Sequence, residues 1–289
     1  MDNMYSSLEQ PSPVDYLVIG HITQDITPNG KVLGGTVTYA GLTALAMGLR
    51  VGMVTSVSPD VDLTPLKGIN LHIVPSTRTT LFENIQTPQG RVQTLHSRAA
   101  IISSDHIPPH WKSCPIVHFG PVAQEIDPGV FNLFDKSLIG VTPQGWLRAW
   151  DENGSVYFRS IPGIYDLYKK SSCVVISIED VQRQENLIED MANHLPILVV
   201  TEAAAGCRVY WNGDVRRFRP PQVDELDSTG AGDIFAAAFF FRLAKTRDPW
   251  LAAEFATKIA ARSVTRRLID SPPTPQEVLE NMVEIIGNS

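Results

Sequence analysis

The seven residues from Asp227 to Asp233 read Asp-Ser-Thr-Gly-Ala-Gly-Asp and lead directly into an apolar helical pattern. The small side chains of Gly230, Ala231 and Gly232 leave room for backbone N–H groups to converge on one point. The positive end of the following helix adds to their field, so the turn is suited to bind a phosphoryl group. Asp233 stands in the first helical turn, where a carboxylate can accept a proton from an attacking hydroxyl.

Two other nucleotide-binding patterns do not fit the residues of this turn. A dinucleotide-binding turn needs a glycine where Phe235 stands, and the chain contains no Gly-Lys-Ser/Thr of a P-loop. A purely structural turn, in which Asp233 compensates the helix dipole, stays open on spacing alone. The segment therefore indicates either an anion site beside a general base or a simple helix start.

The elements that must position these residues alternate between short apolar runs and longer helical patterns. Runs rich in Val and Ile predict parallel strands at Tyr16–Ile19, Val51–Ser56, Ile116–Phe119, Leu138–Val141, Val174–Ser177 and Ile197–Thr201. Helices are predicted at Thr36–Gly48, Asp180–His194, Gly230–Ala244, Pro249–Arg266 and from Thr274 onward. This order predicts an α/β fold with a mostly parallel central sheet and helices on both faces.

The segment from Thr79 to Ala99 breaks the alternation. Two runs with period 2 flank a turn that contains Pro88 and Gly90, which is typical of a β-hairpin. This hairpin, within a small β unit around residues 76–100, is either a lid over the site or an ordinary edge hairpin. A further turn between two strands is predicted at residues 151–156.

The composition and charge of the chain indicate the kind of protein it is and the partners it is unsuited to bind. The chain has 289 residues, 43% of them hydrophobic, and a net charge of −7, which fits one globular domain and argues against nucleic-acid or membrane partners. The longest apolar stretches are far below the ~20 residues that span a bilayer. Three widely spaced cysteines predict no disulfide framework and favour the cytoplasm. Residues 1–13 are predicted to form a flexible tail, followed by a single domain at 14–289.

The Asp227–Asp233 segment resembles the second signature of the ribokinase-like (PfkB-type) carbohydrate kinases, D-[ST]-x-G-A-G-D, at every position. The resemblance implies that Asp233 is the catalytic base and that Gly230, Ala231 and Gly232 form the anion hole. It also implies that Thr229, with the two glycines, contacts the nucleotide. The implied fold is the three-layer ribokinase-like fold with a small β lid.

The resemblance extends to the acceptor side. Gly20 to Asp25 resembles the strand-end motif whose Asp binds sugar hydroxyls, which implies that Asp25 binds substrate. Gly34 and Gly35 resemble the start of the first signature, but Tyr39 stands where that signature has Asn. This substitution leaves the sugar open, and the aromatic ring could pack on a substrate ring. In the lid, the polar candidates for substrate contact are Asn84, Arg91, Gln93 and Arg98.

On the donor side the match is weaker. Ser177 to Asp180 resembles the N-x-x-E motif, which implies that Asp180 and Glu179 support Mg²⁺ through water; these residues could also merely open a helix. The residues after Thr201 resemble the T-x-G-x-x-G nucleotide loop, with Ala203 for the first glycine and Gly206 in place. In the helix that resembles the adenine side, Thr257 replaces a common Asn.

The expected protein is therefore an ATP- and Mg²⁺-dependent kinase of a sugar or polyol, with K⁺ as a further candidate cofactor. Residues 141–148 loosely resemble a sub-branch that includes plant inositol kinases, which favours an inositol-like acceptor. Two alternatives remain: a nucleoside kinase of the same fold, and a catalytically weak ligand-binding protein on this scaffold. A monomer and a homodimer are both compatible with the resemblance.

Overall fold

A computed structural model of the chain describes residues 13–87, 90–161 and 163–282. The predicted tail therefore lies, apart from Pro13, outside the described residues. The strands are β1 (Tyr16–Ile19), β2 (Thr23–Thr27), β3 (Gly30–Gly34), β4 (Val51–Val57), β5 (Asn70–Pro75), β6 (Thr80–Thr87), β7 (Gly90–Ser97), β8 (Ile116–Phe119), β9 (Leu138–Val141), β10 (Arg148–Trp150), β11 (Val156–Phe158), β12 (Cys173–Ser177), β13 (Ile197–Thr201), β14 (Cys207–Trp211) and β15 (Asp214–Phe218). The α-helices are α1 (Thr36–Ala46), α2 (Ile164–Tyr168), α3 (Glu185–His194), α4 (Ala231–Thr246), α5 (Pro249–Ser263) and α6 (Pro275–Asn281).

The central sheet has nine strands in the order β15-β14-β13-β12-β9-β8-β1-β4-β5. The strands from β13 to β5 in this order run parallel, and β14 and β15 add an antiparallel end. β1 and β8 are buried along their whole length because helices cover both faces of the sheet. The predicted α/β fold class is therefore confirmed.

Alternate residues of each strand pack into two separate cores. Tyr16 and Val18 face a core that contains α1, α4 and α5. Leu17 and Ile19 face the opposite core, to which α2 and α3 contribute. α4 is buried almost all round, as its apolar composition predicts, because it lies between the sheet and α5. No helix in the described part of the chain is long and apolar enough to cross a membrane.

A second sheet of four strands has the order β3-β2-β6-β7 and is called the lid sheet below. The hairpin predicted between Thr79 and Ala99 forms as β6 and β7. β2 and β3 were not predicted, because a run such as Thr-Gln-Asp-Ile-Thr has almost no alternating apolar residues. β2 leads directly from the end of β1, so the lid sheet grows out of the carboxyl edge of the central sheet.

A short hairpin of β10 and β11, called the brace below, joins the lid sheet to the rest of the chain. The N–H of Leu95 donates to the carbonyl oxygen of Gly154 at 2.8 Å, and Thr94 forms an isolated bridge with Ser155. Beneath this contact, Trp150 and Val156 of the brace pack against a small apolar cluster of lid and loop residues. The lid sheet is therefore held on two sides, by the chain from β1 and by the brace.

One predicted helix starts later than its sequence pattern suggests. The prediction for Asp180–His194 is wrong at its beginning, because α3 begins at Glu185. Gln182 and Arg183 have positive φ angles of 52° and 58°, which a right-handed helix excludes. The preceding Asp180 is held in a turn, since its carboxylate accepts hydrogen bonds from the N–H of Ser177 and from Gln144.

Candidate active site

The candidate active site lies where the carboxyl ends of β1, β8, β9 and β12 meet at one edge of the sheet. Two helices begin at this edge. Thr36, the first residue of α1, packs on Gly120, which directly follows β8. Gly230, which precedes α4, packs on the ring of Tyr39 in α1. The sequence segments around Gly34 and Asp233 are therefore brought together by the packing of α1 against α4.

The glycine-rich turn at the start of α4 has the geometry of an anion site. Gly230 has a φ of 78° and a ψ of −4°, a left-handed conformation that glycine adopts without strain. A Cβ atom at this position would lie 2.5 Å from the ring of Tyr39, so a larger residue cannot be accommodated. The first N–H groups of α4 have no partner within the helix, which suits anion binding, and that of Ala231 donates to the carbonyl oxygen of Ser228 at 3.1 Å. Asp227 fixes the turn by accepting a hydrogen bond from the N–H of Thr229 at 2.9 Å.

The Asp233 carboxylate lies in the first helical turn of α4, beside the glycine-rich turn. The residue retains partial exposure, but its carboxylate is enclosed, and burial raises its pKa to about 6. The Thr36 hydroxyl opposes this rise in pKa, the charge of Asp180 adds to it, and the charge of Arg148 opposes it. A carboxyl group with a pKa near neutrality is a better proton acceptor than an ordinary aspartate.

Asp25 and the lid sheet form a chain of polar contacts on the acceptor side. The amide of Asn84 donates to Asp25 Oδ1 at 3.0 Å, and the amide of Gln93 donates to Asn84 Oδ1 at 2.8 Å. Gly34 lies directly against the other oxygen of Asp25, which a Cβ atom there would displace. Gly35, at the start of α1, lies against the carbonyl oxygen of His21. The structure thus places Asp25, Asn84, Gly34 and Gly35 together.

Arg98 is engaged with the brace. Its guanidinium lies 5.5 Å from the centroid of the Trp150 ring and donates to the carbonyl oxygen of Ala123 at 3.3 Å. The side chain of Arg91 lies outside the described residues. Among the lid candidates, Asn84 and Gln93 are therefore the ones in direct contact with the Asp25 carboxylate or its partner.

The two acidic candidates for the metal differ in their surroundings. Glu179 is exposed and pairs with Arg183 at 2.5 Å. Asp180 accepts from Ser177 N at 2.9 Å and from Gln144 Nε2 at 3.0 Å, and its charge raises the pKa of Asp233. No group of three or more His, Cys, Asp or Glu suited to a metal occurs among the described residues. Asp180, whose charge acts on Asp233, is the acidic candidate at the site, and a single carboxylate of this kind fits an Mg²⁺ ion that keeps most of its water ligands.

The loop after β13 has two backbone positions under constraint. Ala203, where the related motif has glycine, has a positive φ of 49°. Gly206 closes the turn, and a Cβ atom there would collide with the carbonyl oxygen of Phe218. The side chain of Glu202, 9% exposed, forms ion pairs with Arg208 at 2.7 Å and with Arg217. Thr201 precedes this turn as the last residue of β13.

A cleft of about 620 Å³ lies between the end of β15 and α5. Its lining consists of Arg217, Phe218, Arg219, Pro220, Pro221, Glu254, Thr257, Lys258, Arg262 and Asn281. Thr257 is itself 4% exposed, and its hydroxyl lies 3.6 Å from Cys207 Sγ. The chain just after α5 lies near the Asp227 turn, because the N–H of Asp227 donates to the carbonyl oxygen of Val264 at 3.1 Å.

Three residues were missed from the sequence: Thr36 and Arg148, which act on Asp233, and Gln144, which donates to Asp180. Thr36 reaches Asp233 only through the packing of α1 on α4, which no local pattern encodes. Gln144 and Arg148 follow β9, and a cluster of polar residues directly after a buried strand is a pattern that could have indicated them.

Comparison with solved structures defines the class of fold. A pyrophosphate-dependent kinase in the ribokinase family, solved with sulfate, matches with a TM-score of 0.76 at 19% identity, over 92% of this chain and 100% of that chain. The ribokinase of Thermotoga maritima matches with a TM-score of 0.72 at 19% identity, over 93% and 99% of the two chains. The chain therefore has the ribokinase-like fold.

The sequence comparison matches part of the chain to a family of kinases. Residues 171–276, which include the Asp227–Asp233 signature, match the model of the pfkB family carbohydrate kinase. A probable fructokinase-5 of Arabidopsis thaliana is 26% identical over 46% of this chain and 40% of the relative. An inositol 3-kinase of Zea mays is 30% identical over 34% of this chain and 26% of the relative. The predicted resemblance to ribokinase-like (PfkB-type) carbohydrate kinases is confirmed, although the chain aligns with less than half of these relatives' lengths.

Proposed function

We propose that this protein transfers the γ-phosphate of ATP to a hydroxyl group of a sugar or polyol. The observation that carries the proposal is the Asp233 carboxylate, with a pKa of about 6, directly beside the glycine-rich start of α4. A base directly beside an anion site is what an attack by an alcohol on a phosphoryl group requires. The match to the pfkB family carbohydrate kinase supports the same reaction.

In this mechanism Asp233 accepts the proton of the acceptor hydroxyl while the oxygen of that hydroxyl forms a bond to the γ-phosphorus. The bond from that phosphorus to the bridging oxygen of ADP breaks at the opposite side. The N–H groups of Gly230 and Gly232 hold the equatorial oxygens, and Thr229 and Ala231 lie at the same turn. Mg²⁺, when bound with ATP, would neutralise phosphate charge, and Asp180 would orient its water ligands.

The acceptor would bind between Asp25 and Asp233. An ionised carboxylate accepts hydrogen bonds from two neighbouring hydroxyls, and the amides of Asn84 and Gln93 hold Asp25 in place for this. Gly34 and Gly35 allow the backbone to approach the ligand. The inositol 3-kinase and fructokinase among the relatives support a polyol or a simple sugar as the acceptor.

ATP is the donor that the cleft near α5 favours. Phe218, Pro220 and Pro221 offer flat apolar surface, which suits a base and a ribose, in a cleft of about 620 Å³. Thr201, Gly206 and Thr257 would line the nucleotide side.

Pyrophosphate is a second candidate donor. It is supported by a pyrophosphate-dependent structural neighbour that is complexed with a pyrophosphate analog and myo-inositol. The cleft is also lined by Arg217, Arg219, Lys258 and Arg262, and Arg219 has no ion-pair partner among the described residues. Comparing the turnover numbers with ATP and with pyrophosphate, at saturating acceptor, decides between the two donors.

An assay of ADP release over a panel of acceptors tests the proposed activity. The panel contains myo-inositol, fructose, ribose and adenosine, each with ATP and Mg²⁺. Turnover with a polyol or sugar is the expected result, and turnover with adenosine alone would instead establish a nucleoside kinase. Thermal stabilisation by a panel member without any turnover would establish a ligand-binding protein. Repeating the active combination with K⁺ replaced by Na⁺ tests the monovalent cation.

A further inference from the structure

The hydroxyl group of Tyr39 is an unpaired polar group in the core that contains α1, α4 and α5. The residue is 2% exposed, and its phenol oxygen is buried with no hydrogen-bond partner among the described residues. An unpaired buried hydroxyl is destabilising, so native structures keep few of them, and each calls for an explanation. A phenylalanine would fill the same space without that cost.

The surroundings of this hydroxyl connect both halves of the candidate site. The Tyr39 ring packs on Gly230, which begins the anion-binding turn. Burial raises the pKa of the Tyr39 phenol, and the charges of Asp25, Asp233 and Asp227 raise it further. The phenol therefore keeps its proton at neutral pH and is a hydrogen-bond donor among groups that, when ionised, only accept.

From this placement we infer that Tyr39 is a specificity-determining residue, whose O–H donates to an oxygen of the bound acceptor next to the hydroxyl that is phosphorylated. The inference rests on the proposed function, because it assumes that the acceptor binds between Asp25 and Asp233. Within that site the phenol acquires the partner that it lacks in the free protein. The unpaired donor is then a prepared contact for the ligand.

The acceptor class follows from the hydrogen-bonding roles. Asp25 and Asp233 accept hydrogen bonds from hydroxyls of the acceptor, and Tyr39 donates one to it. The acceptor must therefore carry an oxygen beside the reacting hydroxyl, as a vicinal diol of a cyclic polyol or sugar does. A simple alcohol with one hydroxyl, or a diol with widely separated hydroxyls, would leave Tyr39 unpaired and would bind more weakly.

The variant that tests the inference is Tyr39→Phe, which keeps the ring on Gly230 and removes only the hydroxyl. Tyr168→Phe is the matched control, because Tyr168 also has a buried hydroxyl without a described partner but belongs to the core on the opposite face of the sheet. Without ligand, both variants should melt at the wild-type Tm or roughly 2 °C above it, since each loses an unpaired polar group.

The kinetic result separates the two tyrosines. For the preferred acceptor of the panel, Tyr39→Phe should raise KM by about 3- to 10-fold, the size of one neutral hydrogen bond, with kcat within about twofold. Tyr168→Phe should leave KM unchanged. An acceptor with a single hydroxyl should be used equally well by the wild-type enzyme and by Tyr39→Phe. With such an acceptor, neither enzyme can form the hydrogen bond from position 39 to a neighbouring oxygen.

Two outcomes would overturn the inference alone. One is a wild-type acceptor KM in Tyr39→Phe while the wild-type enzyme is active. The other is a Tm for ligand-free Tyr39→Phe several degrees below that of wild type, which would show that the hydroxyl already has a structural partner. If the wild-type protein phosphorylates no member of the panel, the proposed function fails and this inference falls with it.

Discussion

At the Asp233 carboxylate, burial and the Asp180 charge raise the pKa, and the Thr36 hydroxyl and the Arg148 charge lower it. Burial raises this pKa from 3.8 to about 6, and the Thr36 hydroxyl and the Arg148 charge hold it from rising further. The same value affects stability. Because the folded protein binds this proton more tightly than the unfolded chain does, the contribution of Asp233 to stability is fully present at pH values below 3.8 and is lost as the pH rises through about 6.

The pH dependence of kcat/KM follows from this pKa. Since only ionised Asp233 can accept the proton, we expect kcat/KM to rise tenfold per pH unit below about pH 6 and to level off above it. In Thr36→Val the hydroxyl that lowers the pKa is absent, so the midpoint should move to a higher pH. Initial rates at subsaturating acceptor from pH 5 to 9 measure both curves. A flat profile in the wild-type enzyme, or an unchanged midpoint in Thr36→Val, would contradict this account of the residue.

The Tyr39 ring leaves no room for a side chain at position 230. We expect Gly230→Ala to unfold about 2–4 kcal/mol more easily, because a Cβ atom there meets the Tyr39 ring at 2.5 Å and alanine is strained at a φ of 78°. Gly48→Ala is the control, since Gly48 has the same φ of 78° with no atom within 4 Å of the added carbon. Urea unfolding measures both variants. Equal losses would mean that the Tyr39 contact is unimportant.

At the scale of elements, the brace holds the lid sheet against the rest of the chain, beside the proposed acceptor site. Asn84 contacts Asp25, and Gln93 contacts Asn84, only while β6 and β7 stay in place, and the brace fixes β7 through the hydrogen bond between Leu95 and Gly154. The brace also belongs to the stretch that leads from β9 through Gln144 and Arg148. One segment therefore connects the lid sheet with the surroundings of Asp233.

Loosening the brace should weaken acceptor binding more than it slows chemistry. In Gly154→Ala the added carbon would collide with the carbonyl oxygen of Leu95 at a φ of 81°, so we expect the acceptor KM to rise by roughly 3- to 10-fold, the size of one lost hydrogen bond. Gly213→Ala is the control, with the same φ of 81° and open space around the added carbon. Steady-state kinetics with the preferred acceptor measure both. The same KM in the two variants would show that the brace does not support the acceptor site.

At the scale of the whole molecule, apolar strands were predictable from the sequence and polar strands were not. Strands β1, β8, β9 and β13 have the predicted bounds, because each is an apolar run buried by helices on both sides. β2, β3, β14 and β15 were missed, since they lie in the lid sheet or at a sheet end and carry polar residues. Strands without a continuous apolar run could be recognised only from the tertiary structure.

The candidate site divides along the same line. Asp25, Gly34, Gly35 and the turn before Asp233 were predicted, because each depends on a short local pattern. The contact of Tyr39 with Gly230 and the approach of Thr36 to Asp233 depend on how α1 packs against α4, which no local spacing encodes. The sequence therefore predicted the carboxylates Asp25 and Asp233, and the structure added the groups that adjust the pKa of Asp233 or pack on its turn.

The central claim is that Asp233 is the base of a phosphotransferase, and its most direct test is the turnover of Asp233→Asn with ATP and the preferred acceptor. We predict that kcat falls by roughly 10²–10⁴-fold, the usual contribution of a general base, while the acceptor alone still raises Tm. Asp166→Asn, a change to an exposed aspartate in the first turn of α2, should turn over normally. Near-normal turnover of Asp233→Asn would contradict the account.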